Sequence, residues 1–434
     1  MLEIRTYSPT DSRFLAIVNR GEELDAVLGA RVAEIIDAVR KGGADALLSF
    51  IRRFDAELPN FEAVRVTREE MERAEREVAA DFLAAVRQAE DNIRRFHAHQ
   101  VRKGYRHDDG DGVNLARQVL PIARIGVYCP ARAAPLFSSL LMNVVPARLA
   151  EVEEIAVAIP PHQDGSVSPH MLATARYLGL DEIYKMGGSH AIAAFAYGAG
   201  PIRKVDKIVG PGNAYVAAAK RQVFGAVGID SLAGPSEIAI IADSGADPAF
   251  IAADLLSQAE HGSGYESGVV LTNDPGLAAQ VGEEAKARIA RLERGEAIRT
   301  ALSRYGAVFL CRDLAEAVEA ANLIAPEHLE IHTRAPRELL GKIVNAGAVF
   351  LGPWSSEPVG DYFAGTNHVL PTAGAARFSS GLGVADFQKE MSVIEYSAER
   401  LRRTGKSIIL MAETEGLAAH ADAVKVRLER LKVP

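Results

Sequence analysis

Short runs of β-branched and small apolar residues, alternating with helical segments, constrain this chain more than any other feature. IARIGVY, EEIAVAIP, DEIYKMG, VDKIVG and SEIAIIAD form one set, and SGVVLTND, GAVFLCRD, LEIHT and GAVFLGPW a second. Strands that alternate with helices in this way build parallel sheets covered by helices on their faces. Two α/β units are expected, alike in architecture and not as a residue-level repeat. The first hundred residues carry apolar positions at helical spacing in ARVAEIIDAVRKGGADALLSFIRRF and REEMERAEREVAADFLAAVRQAEDNIRRFH, which predicts amphipathic helices. After about residue 378 the strands cease, and SAERLRRTGKSIILMAETEGLAAHADAVKVRLERL reads as a mostly helical terminal arm. No low-complexity linker separates these parts.

A chain of 434 residues is too long for one ordinary core, so two or three domains are expected. With 48% hydrophobic and 24% charged residues it has the composition of a soluble globular enzyme. A formal charge of −8 argues against non-specific nucleic-acid binding. Cys129 and Cys311 cannot make a disulfide framework and lack the paired spacings of thiolate zinc sites. Any metal is therefore held by His, Asp, Glu or Gln. The opening MLEIRTYSPTDSRF has no basic segment followed by an apolar core, and no apolar stretch reaches the roughly 18 residues that span a bilayer. No membrane partner and a reducing cytoplasm are expected.

Glycine marks the strand ends: Gly126 beside Tyr128, GPGN at 210–213 and AGPS at 233–236. In open α/β sheets the crevice beyond the carboxyl ends of strands is where ligands bind. None of these runs is the G-x-G-x-x-G dinucleotide turn, although KMGGSH at 185–190 comes near it. The bland reading of each is a tight turn.

Four pairs of residues can carry chemistry. Gln258 and His261, in DLLSQAEHGSG, are three apart where a helix gives way to glycines. Helical spacing sets them about 60° apart on one face, close enough to share a ligand. Zinc takes imidazole readily and a glutamine amide only with stronger partners beside it, and a histidine at a helix end also serves the helix dipole. Glu327 and His328, in APEHL, can divide acid–base work if a bend at Pro326 turns both into one pocket; an ordinary surface pair is the alternative. Asp361 and His368 sit in the glycine-flanked loop GDYFAGTNHVLPT, where Asp361 is either a hard-oxygen metal ligand or a solvated turn residue. Glu415 and His420 are five apart in the terminal arm, about 140° around a straight helix. Either the helix breaks near Gly416, or each reaches a different part of a site, or both are solvated.

Taken together, VDKIVGPGNAYVAAAKRQVFG, DSLAGPSEIAIIADSGADP, DLLSQAEHGS, APEHLEI, VGDYFAGTNHVLPT and ARFSSGLGVADFQK resemble the histidinol dehydrogenase family, from roughly residue 20 to 430. The resemblance implies two incomplete Rossmann-like, parallel-sheet domains with an N-terminal helical segment and a C-terminal helical arm exchanged in a homodimer. The boundaries expected are 1–22 for the N-terminal helical arm, 23–118 with 237–378 for the metal and catalytic domain, 119–236 for the dinucleotide side, and 379–434 for the dimerisation arm. It implies one Zn²⁺ per subunit on Gln258, His261, Asp361 and His420 of the partner subunit. Ser236, His368 and Glu415 would hold L-histidinol, with Gln258, His261, His328, Asp361 and His420 also around it. Glu327 and His328 match the acid–base pair, and Tyr128, His190 and Asn213 the nicotinamide dinucleotide positions. The implied reaction is the four-electron oxidation of L-histidinol to L-histidine with two NAD⁺, through an aldehyde. His328 would take the hydroxyl proton and Glu327 would activate the hydrating water, while zinc positions the substrate's amino group and imidazole.

This chain departs from the family pattern on the dinucleotide side. Ala131 and Arg132 stand where Gly-Gly is usual, and His190 where glutamine is usual. Arg132 is able to pair with the 2′-phosphate of NADP⁺, and harmless loop drift is the bland alternative. Thr366 replaces a common proline. A paralogue oxidising another amino alcohol or a diol with NAD⁺ or NADP⁺ would keep the metal site, Glu327 and His328. A zinc hydrolase using Glu327 is opposed by the glycine-rich strand ends, and only the altered dinucleotide-side residues favour a non-catalytic binding protein.

Overall fold

The apolar runs become two parallel sheets in a computed structural model that describes residues 2–132, 134–232 and 234–431, with backbone alone for 21–27. Residues 1–100 and 122–387 form one compact unit, and residues 101–121 with 388–434 form another. Ala233, in the turn at 233–236, lies outside the described residues.

Within the first unit, a five-stranded sheet runs in the order Glu182–Lys185, Glu154–Ile159, Arg124–Tyr128, Lys207–Val209, Gly228–Ile229, every pairing parallel. A six-stranded sheet runs Glu3–Thr6, Gly306–Leu310, Ser267–Thr272, Glu237–Ala242, His328–His332, Ala348–Leu351, also parallel throughout. Both interiors are covered on two sides. In the five-stranded sheet Ile125, Val127, Ile155 and Val157 enter one core while Tyr128, Ala156 and Ala158 enter another. In the six-stranded sheet Ala239, Ile241, Val269 and Leu271 face one way, and Ile238, Ile240 and Val270 the other. Burial on both faces is why these strands carry unbroken apolar runs.

Several helices begin at a side-chain oxygen acceptor. Asp247 caps Pro248–Ala259, Asp274 caps Pro275–Ile289, and Asn213 caps Ala214–Val223 through the backbone N–H groups of Tyr215 and Val216. Thr67 and Glu70 form a reciprocal capping box at the start of Arg68–Glu77.

The chain differs from expectation at both ends. Residues 1–22 are not wholly helical, because Glu3–Thr6 adds an edge strand alongside Gly306–Leu310 before the helix Ser12–Val18. The expected boundaries place the amphipathic helices between residues 20 and 97 with the six-stranded half. Their apolar stripes instead cover the five-stranded sheet: Val32, Ile36 and Ile51 pack with Ile192 and Val216, while Met71, Val86 and Ile93 join Leu140 and Met171. The second unit is not helical alone. Its antiparallel sheet has Val113–Pro121 between Gln388–Tyr396 and Tyr105–Asp108. Ala398–Thr414 and Ala418–Arg430 follow, broken at Gly416, whose φ of 75° lies in the left-handed region.

Candidate active site

Helices that return antiparallel to their strands bring their C-termini back to the amino ends of the sheet, and that geometry builds the site. The helix Pro248–Ala259 follows the strand Glu237–Ala242 and delivers Gln258 and His261 beside Ser236, which precedes that strand. Glu327 and His328 enter at the start of the next strand over, His328–His332. The crevice at the carboxyl ends of strands, expected for all the glycine runs, is thus realised only in the five-stranded sheet. A cavity of about 580 Å³ is lined by Ser236, Gln258, His261, Glu327, His328, Asp361 and His368. These residues come from four separate stretches of sequence, at 236, 258–261, 327–328 and 361–368.

The bend needed to turn Glu327 and His328 into one cavity lies at Ala325, whose φ of 51° closes the preceding helix in the left-handed conformation. Glu237 then holds both side chains with its backbone. Its N–H donates to Glu327 Oε2 at 3.0 Å, and its carbonyl accepts from His328 Nδ1, also at 3.0 Å. Glu237 is itself fixed by a buried ion pair with Arg20 and by the backbone N–H of Ala373. With its proton committed at Nδ1, His328 keeps a bare Nε2, which has no hydrogen-bond partner and lies 4.0 Å from Glu357 Oε1. Burial pushes the His328 pKa down to about 3, so the ring is neutral. Burial drives the Glu327 carboxyl well above the usual range, helped by the nearby charges of Glu237, Asp361 and Glu357.

His261 lies just past the last helical residue rather than on the helix face, so the 60° geometry does not apply to it. Its Nδ1 donates to the Gln258 carbonyl at 3.0 Å. That contact caps the helix end, and it leaves Nε2 with a free lone pair that can accept a hydrogen bond or bind a metal. Asp361 sits on the short helix Glu357–Tyr362, and its backbone carbonyl accepts from His368 Nδ1 at 3.1 Å. His368 Nε2 lies 3.5 Å from Ser139 Oγ, and burial lowers the His368 pKa to about 4. The Glu357 and Asp361 carboxyls lie within 4.8 Å of each other, and burial raises both. His328, Glu357 and Asp361 each bring one candidate ligand atom within 4.8 Å of the others, and Glu357 Oε1 has no partner. Crowded, buried carboxyls beside a bare imidazole nitrogen are the environment a divalent cation relieves.

A second cavity of about 440 Å³ is lined by Tyr128, His190 and Asn213, and it shares Pro130, Asn213 and Tyr215 with the first. Two ten-residue helices, Gly188–Tyr197 and Ala214–Val223, begin at its wall, and the positive ends of their dipoles favour an anion there. Tyr128 Oη accepts the Gly188 N–H at 3.2 Å. His190 Nε2 is 2.7 Å from Asp55 Oδ2, and its ring stacks against Phe50 and Phe54. Asp55 also accepts the Gly187 N–H at 2.9 Å and Arg132 Nη2 at 2.8 Å. Arg132, whose side chain is 63% exposed, is thus ion-paired with the buried Asp55.

Glu415 and His420 belong to the second unit, on either side of the break at Gly416, and both are exposed there. Sequence reasoning missed Glu357, Glu237 with Arg20, and Asp55. None lies in a motif that draws attention, and each acts through a partner distant in sequence. Among the described residues no helix is long and apolar enough to cross a membrane.

A model of the histidinol dehydrogenase family matches residues 18–428. The histidinol dehydrogenase of Heliobacterium mobile is 48% identical over 406 residues, covering 94% of this chain and 95% of its own. That of Geobacillus kaustophilus is 49% identical, covering 92% and 93%. The crystal structure of histidinol dehydrogenase from Elizabethkingia anophelis superposes with a TM-score of 0.89 at 37% identity, covering 99% of this chain and 98% of that one.

Proposed function

The chain belongs to the histidinol dehydrogenase family, and on that premise we propose that it oxidises L-histidinol to L-histidine with two NAD⁺, through histidinal. One observation carries the reading. A cavity that holds a neutral histidine with a free nitrogen, a glutamate whose proton affinity burial has raised, and the residues Gln258, His261 and Asp361 adjoins a second cavity walled by two helix N-termini.

His328 Nε2 takes the hydroxyl proton as the first hydride leaves the carbinol carbon, which gives the aldehyde. Water then adds to the aldehyde. Burial raises the proton affinity of the Glu327 carboxylate, which strengthens it as acceptor of the proton that water gives up. The aldehyde oxygen takes back the proton held by His328 to give the gem-diol, which then loses the second hydride, with its hydroxyl proton returning to His328 Nε2, to form the carboxylic acid. The nicotinamide, when bound, supplies the hydride acceptor. Nitrogen and carboxylate oxygen suit zinc, which when bound would fix the substrate's amino group and imidazole in place. Gln258, His261 and Asp361 would hold it with His420 of the partner subunit. Ser236, His368 and Glu415 of the partner subunit would hold the substrate, and Tyr128, His190 and Asn213 the dinucleotide. Buried, free Cys129 and Cys311 fit the cytoplasm as its compartment.

Purified protein with zinc, histidinol and NAD⁺ should reduce two nicotinamides for each histidine formed. No reduction with either NAD⁺ or NADP⁺ rejects the proposal. For the exchanged arm, His420→Ala and Gln258→Ala are each expected to lose activity, and mixing them should restore a fraction of the sites. Mixed dimers without recovery reject the exchange.

A further inference from the structure

On the strand His328–His332 alternate side chains share a face, so His328, Glu330 and His332 stand beside Ile238, Ile240 and Ala242 of the neighbouring strand. The surrounding layer, including Val270, Val308 and Leu255, is apolar. Burying a carboxyl there is unfavourable unless it is fully hydrogen-bonded, yet Glu330 is 0% exposed, with His332 at 3% and Asp254 at 7%. Each Glu330 oxygen has a partner. Oε2 accepts from His332 Nε2 at 3.0 Å, and Oε1 accepts the backbone N–H of Glu357 at 2.9 Å. Asp254 brings a carboxyl oxygen within 4.8 Å of Glu330 and His332, and burial raises its pKa to about 8.

These contacts join the three elements that carry the site. Asp254 lies one turn before Gln258 on the helix Pro248–Ala259, and its neighbour Ser257 reaches Glu357 Oε2 at 3.2 Å. Glu330 is two residues from His328 on one strand face. Glu357 opens the helix that bears Asp361, and the N-cap residue of that helix, Ser356, makes no side-chain capping bond. The acceptor for the helix's first N–H comes from another strand.

We infer that Glu330, held by His332 beside Asp254, is a positioning residue that pins the start of the helix Glu357–Tyr362, and with it Asp361, against the helix of Gln258 and the strand of His328. A cluster that served packing alone could be replaced by apolar side chains of similar volume at little loss. Such a replacement cannot accept the Glu357 N–H. The inference rests on the proposal that Gln258, His261 and Asp361 hold a metal.

The test compares Glu330→Leu with Glu330→Gln in the full-length protein, by zinc affinity against a chromophoric chelator, by kcat and KM for histidinol, and by thermal midpoint. Glu330→Leu is expected to bind zinc about 10- to 100-fold more weakly and to lose kcat by a similar factor, as removal of an outer-shell partner does. Glu330→Gln retains the Oε1 acceptor, while the bare Nδ1 of His332 allows the ring to change tautomer; it should stay within about threefold of the parent. Should Glu330→Leu not fold, His332→Phe, which removes the donor while filling the volume, is expected to weaken zinc about tenfold. A folded Glu330→Leu or His332→Phe with parental zinc affinity and kcat overturns the inference. A parent that binds zinc without oxidising histidinol defeats the proposed reaction alone, and the zinc series still decides the positioning role. A parent that binds no zinc defeats both.

Discussion

Arg20→Met breaks a buried ion pair beneath the catalytic strand without touching the cavity. Arg20 and Glu237 side chains are 4% and 1% exposed, so removal of the guanidinium leaves a carboxylate that water cannot reach. Loss of one member of such a pair costs about 3–5 kcal/mol, most of it from the uncompensated charge left behind. With about 2.1 cal/mol/K of unfolding entropy per residue, a chain of 434 residues loses about 1 °C of midpoint for each 0.9 kcal/mol, so the expected fall is about 3–5 °C. Differential scanning calorimetry of the parent, Arg20→Met, Glu237→Gln and the double variant closes the cycle. The double variant has no charge left to strand, and the amide oxygen introduced by Glu237→Gln still accepts the Ala373 N–H, so it should recover most of the loss. A single variant that melts within about 1 °C of the parent, or a double variant no better than the single, refutes the reasoning.

Other perturbations have equally definite outcomes. His328→Gln should lower kcat about 10²- to 10⁴-fold with little change in KM, because the group removed acts on a proton in flight; single-turnover kinetics with parental rates would reject it as the base. Gly210 has a φ of 108°, and a Cβ there would meet the Tyr128 carbonyl at 2.2 Å. Gly210→Ala should therefore destabilise the protein by more than about 1 kcal/mol and weaken nucleotide binding, as urea titration and calorimetry would show. Burial pushes the Asp254 pKa up to about 8, so between about pH 4 and 8 the folded state keeps a proton that the unfolded state has released. Stability must then fall as pH rises through that window, by up to about 1.4 kcal/mol per pH unit for one proton. Asp254→Asn should reduce the slope in urea titrations from about pH 5 to 8, the rest coming from Glu330 and Glu357, which burial also raises to about 8, and an unchanged slope would show that Asp254 ionises normally.

What could be read from the sequence follows from what burial demands. Glu237–Ala242 and Glu154–Ile159 are covered on both faces, so each had to be an unbroken apolar run. Glu3–Thr6 and Gln388–Tyr396 are largely exposed and carry no such signature, so nothing in their composition announces a strand. The cavity residues were legible because histidine, glutamine and acidic side chains beside glycine and proline are conspicuous. Glu330 and His332 were visible too, alternating with Leu329 and Ile331 in LEIHT. Their significance depends on Asp254, 76 residues away from Glu330, and no local pattern reports that distance. The side of the six-stranded sheet on which the chemistry lies was likewise hidden, since it depends on which end of each helix comes home to the cavity.

The wall shared by the two cavities, at Pro130, Asn213 and Tyr215, bears on the order of events in a double oxidation. Two spent nicotinamides have to depart for each substrate consumed, while the half-oxidised carbon skeleton stays put. With the dinucleotide in the second cavity, as proposed, carrier and substrate occupy adjoining chambers. The first reduced dinucleotide can be swapped for a fresh one with the aldehyde still seated behind it, so fidelity does not require the enzyme to be faster than leakage. A free-aldehyde trap added to the turnover mixture should accordingly capture nothing, even when scarce NAD⁺ makes the wait between the two oxidations long.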